Sequence, residues 1–131
     1  MTDTTKHLRE RHVASARRVV VKVGTNVLAS PGRPVDDARV DAISEQIAAL
    51  VDSGLEVALV SSGAIGSGMA ELGFAERPGT LPELQASASV GQSRLVSRYA
   101  RSFHRHGFHA GQILLTREDF DDRGRYLNAK N

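Results

Sequence analysis

One lysine stands inside an otherwise uncharged, β-branched run, Val19-Val20-Val21-Lys22-Val23-Gly24. Burying an unpaired ammonium is costly, so Lys22 is expected to reach out of the carboxyl end of the strand that this run forms. In open α/β sheets, ligands bind at that edge. Gly24-Thr25-Asn26 follow at once, and exposed backbone N–H groups beside an ammonium suit a phosphate group. A lysine that snorkels to the sheet rim is the plainer reading of the same pattern.

Ser61-Ser62-Gly63-Ala64-Ile65-Gly66 forms the second candidate. It joins a strand end to a helix start, where free amides and the helix dipole attract anions. Ser62 adds a hydroxyl, and Gly63 lets a ligand approach the backbone closely. This is not a P-loop, because no Gly-Lys-Ser/Thr follows. Nor is it a dinucleotide fingerprint, since Gly63, Gly66 and Gly68 run in the wrong order. Taken alone, Ser62 reads equally well as a helix cap. The two strand ends together say more, because both open onto one edge of a sheet.

Other chemistry-bearing residues are weaker candidates. Arg94, Arg98, Arg101 and Arg105 form a basic stripe at helical spacing. Solvated helix faces look the same, and no aromatic residues interleave with the stripe for base stacking. His104 and His106 are two apart on a helix and face different ways. Asp119, Asp121 and Asp122 alternate with Arg117, Arg123 and Arg125, which reads as local ion pairing.

The elements that must position these residues follow from periodicity. Arg18–Gly24 reads as a strand buried on both faces. Asp36 or Asp37 caps a helix whose apolar residues are Val40, Ile43, Ile47, Leu50 and Val51, with Gly54 at its carboxyl end. Glu56–Val60 is a second strand, followed by a short helix over Ala64–Leu72 that stops at Gly73. Pro82 opens a long helix running to about His106, with Leu84, Ala88, Leu95, Tyr99 and Phe103 on one side. Gly107 ends that helix. Phe108–Leu115 reads as a third strand, Thr116 caps a short acidic turn, and Tyr126–Asn131 begins another helix. Strands separated by helical connections imply right-handed crossovers and a parallel sheet. The expected fold class is therefore α/β, a parallel open sheet with helices on both faces, breaking off after the third main strand.

Composition narrows the function classes. The chain has 131 residues with 17 basic and 15 acidic side chains, a formal charge of +2. That balance does not point to nucleic acid. There is no cysteine, so thiolate chemistry and disulfides are excluded. The longest apolar runs are about five residues, far short of the ~20 that a membrane helix needs. Residues 1–16 are polar and lack the apolar segment of a secretory signal. They read as a flexible tail ahead of a domain over residues 17–131. The expectation is a soluble cytoplasmic protein with no membrane partner.

Five segments together resemble one family. Val20-Val21-Lys22-Val23-Gly24-Thr25, Val60-Ser61-Ser62-Gly63-Ala64-Ile65, Val90-Gly91-Gln92-Ser93-Arg94-Leu95, Leu114-Leu115-Thr116-Arg117-Glu118-Asp119 and Asp121–Ala129 stand in the order and spacing of the glutamate 5-kinases, within the amino acid kinases. The first two segments are shared more loosely across amino acid kinases, whereas residues 90–95 and 114–119 point to the glutamate enzymes and residues 121–129 extend the match. The resemblance implies ATP-dependent phosphorylation of the glutamate side-chain carboxylate, the first step of proline synthesis, with Mg2+ bound through ATP. It further implies that Lys22, with Gly24 and Thr25, holds the ATP phosphates and that Lys22 stabilises the transition state. Ser62, Gly63 and Ala64 would bind glutamate. It implies homo-oligomers for the full-length enzymes and a second half carrying the adenine site, which these residues do not include. By this reading the 131-residue chain alone has negligible activity. The kinase part of a bifunctional pyrroline-carboxylate synthase, or a non-catalytic module that binds glutamate or another anion, remain the alternatives.

Overall fold

The computed structural model describes residues 15–30 and 34–131. The polar tail therefore lies outside the described residues apart from its last two positions. Two strands, β1 (Arg18–Val23) and β2 (Glu56–Ser61), pair in parallel with Lys22 opposite Val60 and Val23 opposite Ser61. The connection between them carries a single turn, α1 (Thr25–Leu28), and a full helix, α2 (Asp37–Asp52). Asp36 caps α2, its carboxylate accepting from Ala38 N at 3.0 Å. At the other end Gly54 adopts φ +90, and Leu55 N donates back to Leu50 O at 3.2 Å. This left-handed exit satisfies the last carbonyls and turns the chain into β2.

After β2 come α3 (Ala64–Glu71), α4 (Leu81–His104), α5 (Glu118–Asp121) and α6 (Arg123–Lys130). The α/β class and the parallel pairing are as the sequence indicated. The core gathers Val23, Leu28, Val35, Val40, Ile47, Leu95, Tyr99 and Phe103, with Val21, Val57 and Leu59 packed against it. Strand residues alternate between faces, so α2 and α4 cover the side bearing Val19, Val21 and Val23. On the opposite side Val20 is 64% and Val60 54% exposed. Among the described residues the helices thus lie on one face of the sheet, not both. The apolar run Val19–Val21 looks two-sided by composition, but only alternate residues find packing partners.

The third strand is also corrected. Residues 108–115 form no strand, and Ile113, Leu114 and Leu115 stay 48–71% exposed. An apolar run has strand propensity only where its side chains pack and its amides pair. Phe108 alone of this stretch packs against the core.

Charged side chains fasten the helices together. Arg94 on α4 pairs with Glu71 on α3 at 2.5 Å, and Arg98 reaches Asp37 at 3.4 Å and the Val35 carbonyl at 2.9 Å. Arg105, just beyond α4, pairs with Asp41 on α2. The basic stripe is therefore largely a clamp between helices rather than a solvated face. Asp41 is held below the usual aspartate range by the Ser102 hydroxyl first and the Arg105 guanidinium second. A lowered carboxylate stabilises the fold above its unfolded value and loses that contribution as pH falls. Acid should thus loosen the contact between α2 and α4 as pH drops below about 3.9, the value of a free aspartate. An Asp41→Asn variant is expected to lose part of that acid dependence, read by circular dichroism between neutral and acid pH.

Candidate anion site at the carboxyl edge of the sheet

β1 and β2 both run toward the same edge, and their register sets the two predicted segments side by side there. Ser62 N donates to Val23 O at 2.8 Å, extending the ladder by one bond past the strand ends. Gly24 and Gly63 are the residues at which each chain turns away. Lys22 is exposed, and its Nζ lies 3.7 Å from the point where a Cβ on Gly24 would stand. The ammonium therefore curls along the strand toward the edge, as the sequence required. Among the described residues it has no ion-pair partner.

Gly24 leads into α1, a turn not anticipated from sequence, and no side chain caps that turn. The first amides beyond Gly24 are those of Thr25 and Asn26, both exposed residues. On the β2 side Gly63 precedes α3 with φ +116, again without a side-chain cap. Ser62 was read as a helix cap or a ligand group, and its hydroxyl caps nothing here. Because its own N–H is committed to Val23, Ser62 can offer a ligand only that hydroxyl. The next amides along the chain are those of Gly63 and Ala64, where α3 opens without a side-chain cap.

Gly63 is fixed by both conformation and space. Its φ is one that side chains other than glycine adopt at a cost of roughly 1–2 kcal/mol. A Cβ there would also lie 3.2 Å from Leu28 Cδ1, a fully buried atom group. Gly63→Ala should therefore destabilise the chain by about 1–3 kcal/mol in urea denaturation. Gly79→Ala, where a Cβ meets nothing within 4 Å, should change little.

Lys22, Thr25 and Ser62 are exposed, Gly24 and Ala64 half-buried and Gly63 buried, so the site is an open ledge around a buried glycine rather than a cavity. A hollow of about 410 Å³ lies elsewhere, against Pro34, Asp37, Ser67 and Arg98, and none of the six predicted site residues lines it. The acidic segment takes part in local pairing as read, with Arg125 to Asp119 at 3.5 Å and Arg117 to Asp121 at 3.8 Å. Asp119 also accepts from Thr116 N at 2.6 Å, which lowers its pKa. Sequence reasoning missed Tyr99 as a neighbour of the site. Its hydroxyl lies 3.0 Å from Ser61 Oγ. The signal was present, because a tyrosine on a buried helix face needs a partner for its hydroxyl.

Known proteins resemble the chain over most of its length. Over 119 residues the chain is 52% identical to glutamate 5-kinase of Bordetella petrii and 48% identical to glutamate 5-kinase of Pseudomonas putida strain W619. A 49% identity over 118 residues relates it to glutamate 5-kinase 2 of Bacillus licheniformis. These matches cover 90–91% of the chain but 32% of each relative, so the chain spans about a third of their length. The family model for the amino acid kinases matches residues 17–131, which take in both strand ends and all six candidate site residues. With that match spanning the parallel sheet and most of the chain, the chain belongs to the amino acid kinase family.

Proposed function

We propose that this chain supplies the phosphate-facing and glutamate-facing edge of a glutamate 5-kinase. The reaction is transfer of the γ-phosphoryl group of ATP to the side-chain carboxylate of L-glutamate, giving γ-glutamyl phosphate and ADP, as the first step of proline synthesis. The observation that carries the reading is the placement of Lys22 and the Gly63–Ala64 amides at one edge by the β1–β2 register.

In this reading Lys22 Nζ, with the amides beyond Gly24 and at Thr25, takes the ATP phosphates, and Mg2+ arrives bound to ATP. The Ser62 hydroxyl and the Gly63 and Ala64 N–H groups hold glutamate. A carboxylate oxygen attacks the γ-phosphorus as the bond to the β-phosphate oxygen breaks. The nucleophile is already ionised near neutral pH, so no general base is needed. Catalysis rests on alignment and on neutralising the charge of the transferring group. The site lies open to water in the 131-residue chain, so binding without measurable turnover is expected of the chain alone.

Amide resonances of the purified chain test the reading. L-Glutamate should shift Gly63 and Ala64, whereas Mg-ATP should shift Thr25 and Asn26. Shifts confined to residues far from the edge, or none with either compound, would overturn it.

A further inference from the structure

We propose that Tyr99 is a positioning residue for the carboxylate cradle, setting the direction of the Gly63 N–H through a chain of two hydroxyls. The inference rests on the reading of Ser62–Ala64 as the glutamate-facing segment and adds a residue from a different helix to it.

Tyr99 lies on α4 and is 5% exposed, with its ring stacked on Phe103 at a centroid distance of 6.2 Å. Packed in that way, the ring cannot swing its hydroxyl elsewhere. Tyr99 Oη stands 3.0 Å from Ser61 Oγ, and Ser61 Oγ in turn donates to the Ser62 carbonyl at 3.1 Å. A serine hydroxyl carries one proton. Since Ser61 gives that proton to the carbonyl, Tyr99 is the donor to Ser61. Burial raises the phenol's pKa, so it remains protonated and able to donate through the physiological range.

The consequence follows from the planarity of the peptide unit. The Ser62 C=O and the Gly63 N–H belong to one trans peptide and point in opposite directions. Fixing the carbonyl fixes the N–H. Backbone bonds tie the residues on either side, Ser62 N to Val23 O and Ser67 N to Gly63 O, and the Ser61 hydroxyl holds the peptide between them. The tyrosine anchors that restraint to the rigid core and so sets the direction of the Gly63 N–H.

The test compares Tyr99→Phe, Ser61→Ala, their double variant and Ser61→Thr in the 131-residue chain. Without ligand, Tyr99→Phe and Ser61→Ala should move the Ser62 carbonyl carbon and Gly63 amide resonances in the same direction. The double variant should move them no further, and Ser61→Thr, which keeps a hydroxyl, should leave them near their original positions. With L-glutamate as the probe, each single variant should weaken binding by about fivefold, the equivalent of one hydrogen bond, and the two losses should not add. Unmoved Ser62 and Gly63 resonances in Tyr99→Phe would overturn the proposal, as would independent, additive effects. A merely structural tyrosine would lower the melting temperature and leave these resonances in place. Failure of the unaltered chain to bind glutamate would instead count against the proposed function, because the ligand-free comparison still decides the role of Tyr99.

Discussion

Replacing Gly91 with alanine is expected to unfold most of the chain. A Cβ at this position would stand 1.8 Å from the Ala64 carbonyl oxygen and 2.4 Å from Gly68 N. A Cβ on Gly68 would meet Ser87 O at 1.8 Å. The axes of α3 and α4 have therefore closed until backbone touches backbone, and no flexible side chain is there to yield. Ordinary overpacking costs about 1–3 kcal/mol, and a clash with two main-chain atoms should exceed that range. Such a loss is a large fraction of the roughly 5–15 kcal/mol that holds a domain together. Urea denaturation of Gly91→Ala and Gly68→Ala should show both with a strongly lowered midpoint. Ser93→Ala on the same helix is the control. Its hydroxyl only bonds back to Val90 O, so the change should be neutral or slightly stabilising. Near-native midpoints for both glycine variants would mean that the two helices can separate at little cost.

Loss of the Lys22 ammonium is expected to produce the largest functional effect. The experiment grafts residues 17–131 of this chain onto the remaining two-thirds of the Bordetella petrii glutamate 5-kinase, a relative 52% identical over the aligned region. The chimera should form γ-glutamyl phosphate, trapped with hydroxylamine. Lys22→Met keeps the length and most of the packing of the side chain while removing its charge. If the ammonium neutralises the transferring phosphoryl group, kcat should fall by about 10²–10³-fold, the scale seen when one preorganised electrostatic group is removed. The KM for glutamate should change far less, since glutamate is assigned to the other strand end. A folded chimera with no activity would refute the proposed function. An active one indifferent to Lys22→Met would refute the role of the lysine alone.

Local signals in this sequence were strong where a single residue type enforces a single geometry. Gly54, Gly73 and Gly107 were read as helix stops, and all three take positive φ. Asp36 or Asp37 and Pro82 marked helix starts, and Asp36 is the one that caps. Lys22 was legible because a charge inside a β-branched run has one way out. What stayed hidden depended on partners rather than on residues. The run Phe108–Leu115 has the composition of a strand, yet pairing is a property of two segments, and none of the described segments pairs with it. The buried line of α4 was read through Leu84 and Ala88, whereas Ser87 and Gly91 carry the close approach. Small residues lack the hydrophobic weight that periodicity detects. Tyr99 was placed correctly on the core side, but its link to Ser61 joins residues 38 apart. No local pattern encodes that bond.

The parallel register has one more effect. Neighbouring strands stand about 4.8 Å apart whatever their side chains, and Val23 opposite Ser61 brings both chains to the rim at the same height. The backbone lattice thus acts as a gauge block between the Lys22 side and the Ser62 side of the ledge. Changing side chains at the rim alters what is held there, but not the gap. Slipping β1 by a single residue against β2 would alter everything at once, because it turns β1 over. Lys22 would then point into the helices, and the ledge would lose its cation. The valines of β1 are in this sense the parts that keep the tolerance.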